Sequence, residues 1–232
     1  MRPLRVEHLG LRRYGEALDI QRDLRRRRIA GELTEDVLLL VEHPPVVTLG
    51  RGTRPASLPI GPAELGRRGL EVFEVERGGD VTLHAPGQLV GYPILDLRQH
   101  REDLHWYLRS LEDVLIQALG PLGIEADRNP GRTGVWTAGR KLASIGIHVK
   151  QWVTLHGFAL NVTTDLDLFD LIVPCGIPQV VMTSVAAELL REGDERLMPE
   201  VRERVVGAFC EVFGASVVAA SGTIQGGKAL ER

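Results

Sequence analysis

Lysine is nearly missing from this 232-residue chain. Of its 28 basic side chains only Lys141, Lys150 and Lys228 are lysines, which leaves 25 arginines. A surface charge can be either residue, but a group that must give up a proton cannot be arginine, whose pKa stays above ~12. Lys141, in TAGRKLASIGIHVK directly after Arg140, is therefore a candidate for proton transfer, since burial can shift a lysine toward neutrality. Cysteine is equally scarce. Cys175 and Cys210 are too few for a disulfide framework, so reduced thiols in a cytoplasmic protein are expected. No Cys/His pair has zinc-site spacing, so no metal is expected. No apolar run approaches the ~20 residues that cross a bilayer, and MRPLRVEHLG lacks the apolar stretch of a secretory signal. A formal net charge of −3 offers nothing to nucleic acid or to an anionic membrane.

With 44% hydrophobic and 25% charged residues, the composition is that of an ordinary soluble globular protein. Apolar spacing predicts a helix from Leu11 to about Ala30, whose RDLRRRR end reads as a solvated face. DVLLLVE (36–42) and VVTLG (46–50) read as strands in a hairpin-like pair with a proline turn at Pro44-Pro45. A short helix near 62–69 precedes LEVFEVE, which alternates as a half-buried strand, and two adjacent glycines then turn the chain into a further strand. Residues 102–119 form an amphipathic helix. GIEADR, TGVWTAG, KLASIGIHVK and TLHGFALNV follow as short strands, and helices are expected at 184–192 and 199–213. With no repeat and no linker, the chain reads as one α+β domain over 1–215, with a mobile tail from 216 to 232.

Three stretches carry candidate chemistry. RGGDVTLHAPGQ fits neither GxGxxG opening a helix nor a phosphate loop. Its glycines suit a hairpin turn, yet Arg77, Asp80, Thr82, His84 and Gln88 fall within twelve residues. On a strand Asp80, Thr82 and His84 share one face. Cys175, in LIVPCGIPQ, lies between proline and glycine, in loop rather than core surroundings. A thiol reacts as the thiolate, whose free pKa of ~8.5 falls beside a cation. Lys141 could be that cation or the base that takes the proton, the two titrating together. His84, His148 and His156 keep a papain-like Cys–His pair open. Cys210, amid the apolar residues of VVGAFCEVF, reads as core filling.

RGGDVTLHAPGQLVGY (77–92), GRKLASIGIHV (139–149), HGFALNV (156–162) and the PCG around Cys175 together resemble the octanoyltransferases. The likeness runs in order from EHPPVVTLGRG (42–52) to MTSVAAEL (182–189). It implies a single domain of the biotin/lipoate protein ligase type, with mixed and antiparallel sheets flanked by helices. The implied activity moves an octanoyl group, without cofactor, from octanoyl-acyl carrier protein to a lysine of a lipoyl domain. The acceptors would be the lipoyl domains of 2-oxoacid dehydrogenase complexes and the glycine cleavage H protein, and the enzyme a monomer. Cys175 would carry the acyl thioester and Lys141 would activate it. Arg77, Gly78, Gly79, Asp80, Val81, Thr82, Leu83 and His84 would line the acyl pocket with Ser144-Ile145-Gly146 and Gly157-Phe158-Ala159. Amides near Gly78-Gly79 or Gly176 would hold the oxyanion. Leu83 stands where the family mostly has an aromatic and Ala85 where glycine is frequent; a leucine in the pocket wall could reshape it, which leaves the chain-length preference open. An ATP-dependent ligase on the same fold would need no nucleophilic cysteine. A lipoyl amidotransferase would differ only in its donor, and a non-catalytic binding module would need neither Cys175 nor Lys141. An acidic carrier protein calls for a basic patch, with Arg22, Arg25, Arg26, Arg27, Arg28, Arg51 and Arg54 as candidates.

Overall fold

The central strand of the molecule reads DVLLLVE, and its lack of any polar face explains its place. In the computed structural model, which describes residues 1–219, β2 (Asp36–Glu42) is buried along its whole length. Leu38 and Leu40 point into one core while Val37, Leu39 and Val41 point into another, the two-residue period of a strand covered on both faces. It is preceded by β1 (Arg2–Leu11) and α1 (Tyr14–Ile29). The chain continues through β3 (Val46–Leu49), α2 (Pro62–Arg67), β4 (Glu71–Glu74), β5 (Val81–His84) and β6 (Gln88–Ile94). Next come α3 (Leu104–Leu119), β7 (Asp127–Asn129), β8 (Arg132–Thr137), β9 (Arg140–Lys150) and β10 (Val153–Asn161). The last elements are α4 (Val185–Leu189), α5 (Leu197–Phe213) and β11 (Ala215–Val217).

Eight strands form one mixed sheet in the order β11-β1-β2-β6-β10-β9-β8-β7. Helices α3 and α5 cover one face through Tyr107, Leu111, Leu115, Val205 and Phe209. Helix α1 covers the other through Tyr14, Leu18 and Leu24. A second sheet of three strands, β4-β3-β5, has its own small core around Val47, Leu65, Val81 and Leu83. The architecture is α+β, as expected.

Three local expectations are corrected. Strands β2 and β3 do not pair. Proline has no N–H to donate in a tight turn, and across Pro44-Pro45 the chain leaves the large sheet for the small one. The strands flanking the glycine pair do not form a hairpin either, because β3 lies between them, parallel to β4 and antiparallel to β5. The Arg77–Gly79 loop is therefore an open crossing and not a tight turn. Finally, the expected boundary at 215 cuts through a strand, since Ala215–Val217 pairs in parallel with β1. The remainder of the predicted tail, 220–232, lies outside the described residues. The N-terminal strand carries few apolar residues and goes unread in the sequence; it is recruited by pairing with β2 and β11.

Candidate active site

Strand β9 carries Lys141 and Ser144 three positions apart, and in a regular strand those two side chains would point to opposite faces. The pairing with β8 is not regular. Val135 pairs with Ala143 but Trp136 pairs with Lys141, so β9 holds one extra residue. That bulge puts the consecutive residues Leu142 and Ala143 into the same core and leaves Lys141 and Ser144 on the other side. A bulge is a known device for re-aiming side chains at a site. Both reach the same atom: Lys141 Nζ donates to Cys175 Sγ at 3.1 Å, and Ser144 Oγ lies 3.6 Å from it.

Lys141 is 1% exposed. Its Nζ lies 5.3 Å from the Trp136 ring, and among the described residues the one hydrogen-bond partner of Nζ is the sulfur. A buried amine with that single partner is placed to exchange a proton with the thiol. The stem of Lys141 fits because residue 134 is glycine: a Cβ there would stand 2.9 Å from Lys141 Cε and 2.5 Å from Ala143 O.

Cys175 lies in the short 3-10 turn Pro174–Gly176 and has φ +57°, ψ +19°. A non-glycine residue held in the left-handed region costs of order 1–3 kcal/mol and persists only where its surroundings impose it.

Cys175 and Lys141 open onto a cavity of about 360 Å³. From the glycine-rich motif, Arg77, Gly78, Gly79, Asp80, Thr82 and His84 line it, as do Ser144, Ile145, Gly146, Gly157, Phe158 and Ala159. Val81 and Leu83 do not. The alternation of β5 turns both into the small core beside Val47 and Leu65, with Ala85 nearby, so Leu83 does not line the pocket wall as expected from the sequence. Residues missed in the sequence include Tyr14, Tyr92, Leu108, Arg132 and Ile177, brought to the cavity from five separate segments. Gly91 was a legible signal that went unread. A glycine inside a strand marks close approach, and a Cβ on Gly91 would stand 2.1 Å from the Phe158 ring.

Arg77 is buried and staples the loop, donating to Thr48 O at 2.7 Å, Thr48 Oγ1 at 2.9 Å and Asp80 O at 2.7 Å. Burial lowers its pKa, opposed by Tyr14 and Cys175. Of the amides suggested for an oxyanion, Gly78 N already donates to Ile147 O and Gly176 N to Val173 O, both at 2.9 Å. Gly79, at φ +83°, is the one of that set left without such a bond among the described residues.

The histidines are settled by their neighbours. Gln88 Nε2 donates to Leu83 O and Asn161 Oδ1, so Oε1 faces His84 Nδ1 at 2.7 Å, and Nδ1 must carry the proton. Burial, with His43 nearby, pushes the His84 pKa down to about 3, which leaves a neutral ring with Nε2 as acceptor. His156, at φ +60°, lines the cavity, and His148 Nδ1 meets Arg25 at 3.0 Å. None of the three is a hydrogen-bond partner of Cys175 among the described residues, so the papain-like pair is not formed. Cys210 packs on the large core from α5, and burial raises its pKa.

Most of the arginine run is already paired. Arg28 is buried against Asp36 at 3.0 Å, Arg26 meets Asp23 and Glu32, Arg27 lies 3.9 Å from Asp23, and Arg22 meets Glu76 at 2.9 Å. Arg54 instead reaches Asp80 and the Gly176 carbonyl beside Cys175.

The fold is similar to that of a structure from a study of a bi-partite lipoate protein ligase and its E2 lipoyl domain of Thermoplasma acidophilum, at TM-score 0.73 and 17% identity over 96% of this chain and 88% of that one. A lipoate-protein ligase A bound with ATP matches at TM-score 0.70 and 14% identity, covering 94% and 89%. These likenesses define an α+β domain of the lipoate ligase type. The family described as lipoyl protein ligase A/B catalytic domain matches residues 13–210. An octanoyltransferase of Nostoc sp. is 51% identical over 209 residues, 90% of this chain and 91% of that protein. One of Solibacter usitatus is 49% identical over 226 residues, 95% and 100%. The chain belongs to the octanoyltransferases of the lipoyl protein ligase A/B family, acyltransferases of lipoate biosynthesis.

Proposed function

We propose that octanoyl transfer proceeds in two steps through a thioester on Cys175, with Lys141 moving the proton in both. The observation that carries this reading is the 3.1 Å contact between a buried lysine and a strained, loop-borne cysteine at the mouth of a cavity. In the first step Cys175 gives its proton to Lys141 and attacks the carbonyl carbon of octanoyl-acyl carrier protein. The bond from that carbon to the carrier sulfur breaks, and the departing thiolate takes the proton back from Lys141. Thioester exchange is nearly isoenergetic, so no ATP is required. In the second step a neutral acceptor lysine of a lipoyl domain attacks the Cys175 thioester and Lys141 takes the amine proton. The amide bond forms as Sγ leaves, and Sγ takes that proton from Lys141 to restore the starting pair. The lipoyl domains of 2-oxoacid dehydrogenase complexes and the glycine cleavage H protein are the acceptors in this reading, and the enzyme acts as a monomer.

The Gly79 amide supplies the oxyanion donor, a contribution of roughly 2.7–4 kcal/mol where such donors have been measured. Apolar surface from Ile145, Phe158 and Ala159 receives the chain, each buried methylene contributing ~0.8 kcal/mol. Intact-protein mass spectrometry after mixing with octanoyl-acyl carrier protein, without ATP, tests the reading. An octanoyl adduct should appear on the wild type, be absent from Cys175→Ser, and move to an added lipoyl domain. Lys141→Arg should fold and lose transfer. Activity that instead required free octanoate and ATP would refute the mechanism.

A further inference from the structure

Cys175 and Gly176 are successive residues at φ +57° and +64°, and something must hold both there. One end of the segment is tied to β9: Lys141 N donates to Val181 O at 2.8 Å, and Lys141 O accepts from Thr183 N at 3.0 Å. Those bonds leave residues 173–176 to be held from the opposite side, and the loop after β3 does so. Val173 N donates to Ser57 O at 2.9 Å, and an Nη of Arg54 donates to Gly176 O at 3.0 Å. Behind them stands Asp80, 7% exposed. Its Oδ2 accepts from Ser57 Oγ at 2.7 Å and lies 3.4 Å from Arg54 Nε, while Oδ1 accepts from Val81 N at 2.7 Å. The fit under the nucleophile loop is close: a Cβ on Gly176 would stand 2.2 Å from Asp80 Oδ2 and 2.6 Å from the Arg54 guanidinium. Glycine at 176 is what lets the carboxylate come so near.

We propose that Asp80 and Arg54 form a latch that positions the nucleophile: the buried carboxylate orients Arg54, and Arg54 grips the Gly176 carbonyl and so holds Cys175 with Sγ against Lys141. Asp80 thereby has a role other than lining the acyl pocket. The Arg54 side chain is 68% exposed. A mostly exposed arginine gains little from an ion pair alone; its ordering here comes from a buried acid on one side and a loop carbonyl on the other. Both are positioning residues, acting through the backbone of Gly176. The proposal rests on Cys175 being the acylated residue.

The test compares wild type with Arg54→Ala, Arg54→Lys and Asp80→Asn in steady-state transfer and in single-turnover acylation of Cys175, with the melting temperature measured alongside. Arg54→Ala and Asp80→Asn should lower kcat and the acylation rate by roughly 10- to 100-fold, the scale of a reacting atom misplaced by ~1 Å. KM for the octanoyl donor should stay within about twofold. Arg54→Lys should recover part of the rate, since one ammonium reaches the carbonyl or the carboxylate but not both in fork geometry. Acylation of Arg54→Ala at the wild-type rate would overturn the latch alone, and so would a rise in KM at unchanged kcat. A wild type that never carries an octanoyl adduct would overturn the functional reading and the latch with it. Should Asp80→Asn not fold, Arg54→Ala decides the matter.

Discussion

Replacing Gly134 by alanine would press directly on Lys141, the proton carrier of the proposed mechanism. Gly134 has φ +127°, and a Cβ there would lie 2.5 Å from Ala143 O, 2.9 Å from Lys141 Cε and 3.5 Å from Nζ. The backbone cannot slide aside freely, because Gly134 N donates at 3.1 Å to the buried Glu112, itself held by Arg109 and Arg128. Two costs add. A non-glycine residue at that φ costs about 1–3 kcal/mol, and overpacking against a fixed carbonyl costs about as much again. A total near 4 kcal/mol would lower the melting temperature by roughly 8–16 °C in a protein of this size. The activity should fall further than the stability explains. Ala143 O is backbone and will not yield, so the lysine stem must, and a ~1 Å shift of Nζ costs about 100-fold in kcat. Gly139→Ala is the control. It lies in the turn before β9 at φ +79° with nothing within 4 Å of a Cβ, so it should lose stability and keep kcat. Thermal melts and octanoyl transfer below both melting temperatures separate the two effects. Wild-type kcat in Gly134→Ala, or an equal loss of kcat in Gly139→Ala, would refute the reasoning.

Other outcomes follow from the same geometry. Burial pushes the His43 pKa down to about 4 and the His84 pKa to about 3. Against an unfolded value near ~6.5, the unfolded chain binds protons that the fold refuses, so stability falls as pH drops from ~6.5 toward 4. Urea midpoints should decrease over that window, and His43→Gln should flatten the slope; an unchanged slope would count against a neutral buried imidazole. Ala159→Leu should shorten the longest acyl chain accepted, at a cost of roughly fourfold in kcat/KM per excluded methylene. Leu83→Phe, acting in the other core, should cost about 1–3 kcal/mol of stability and leave the chain-length profile unchanged; a changed profile would put Leu83 back in the wall. Cys210→Ser should retain transfer, and iodoacetamide should modify Cys175 first, with peptide mapping as the readout.

Lys141 shows best what could be learned from the sequence. Its rarity among arginines marked it, and the prolines and glycine around Cys175 marked the thiol, because unusual residue choice is visible in one dimension. Helices α1, α3 and α5 and strands β2, β9 and β10 were legible for the same reason, their apolar periods being long enough to read. The pairing of strands was not. Pro44-Pro45 and Gly78-Gly79 both suggest a turn, and neither says that the chain will change sheets or cross over β3. Strand β1 has too little apolar pattern to announce itself and forms because β2 offers an edge.

The sequence by itself marked the candidate groups: a thiol in a loop, a lysine among arginines, and small residues in SIG and GFA. Only the tertiary structure decided that these groups meet. A one-residue bulge in β9 turns Lys141 and Ser144 to the same side, and Gly134 on the neighbouring strand makes room for the lysine stem. The hydrogen bonds of Gln88 choose the tautomer of His84, and the alternation of β5 sends Leu83 away from the pocket it was expected to line. Each of these depends on register between segments distant in sequence, and register is fixed by packing on both faces of the sheet at once.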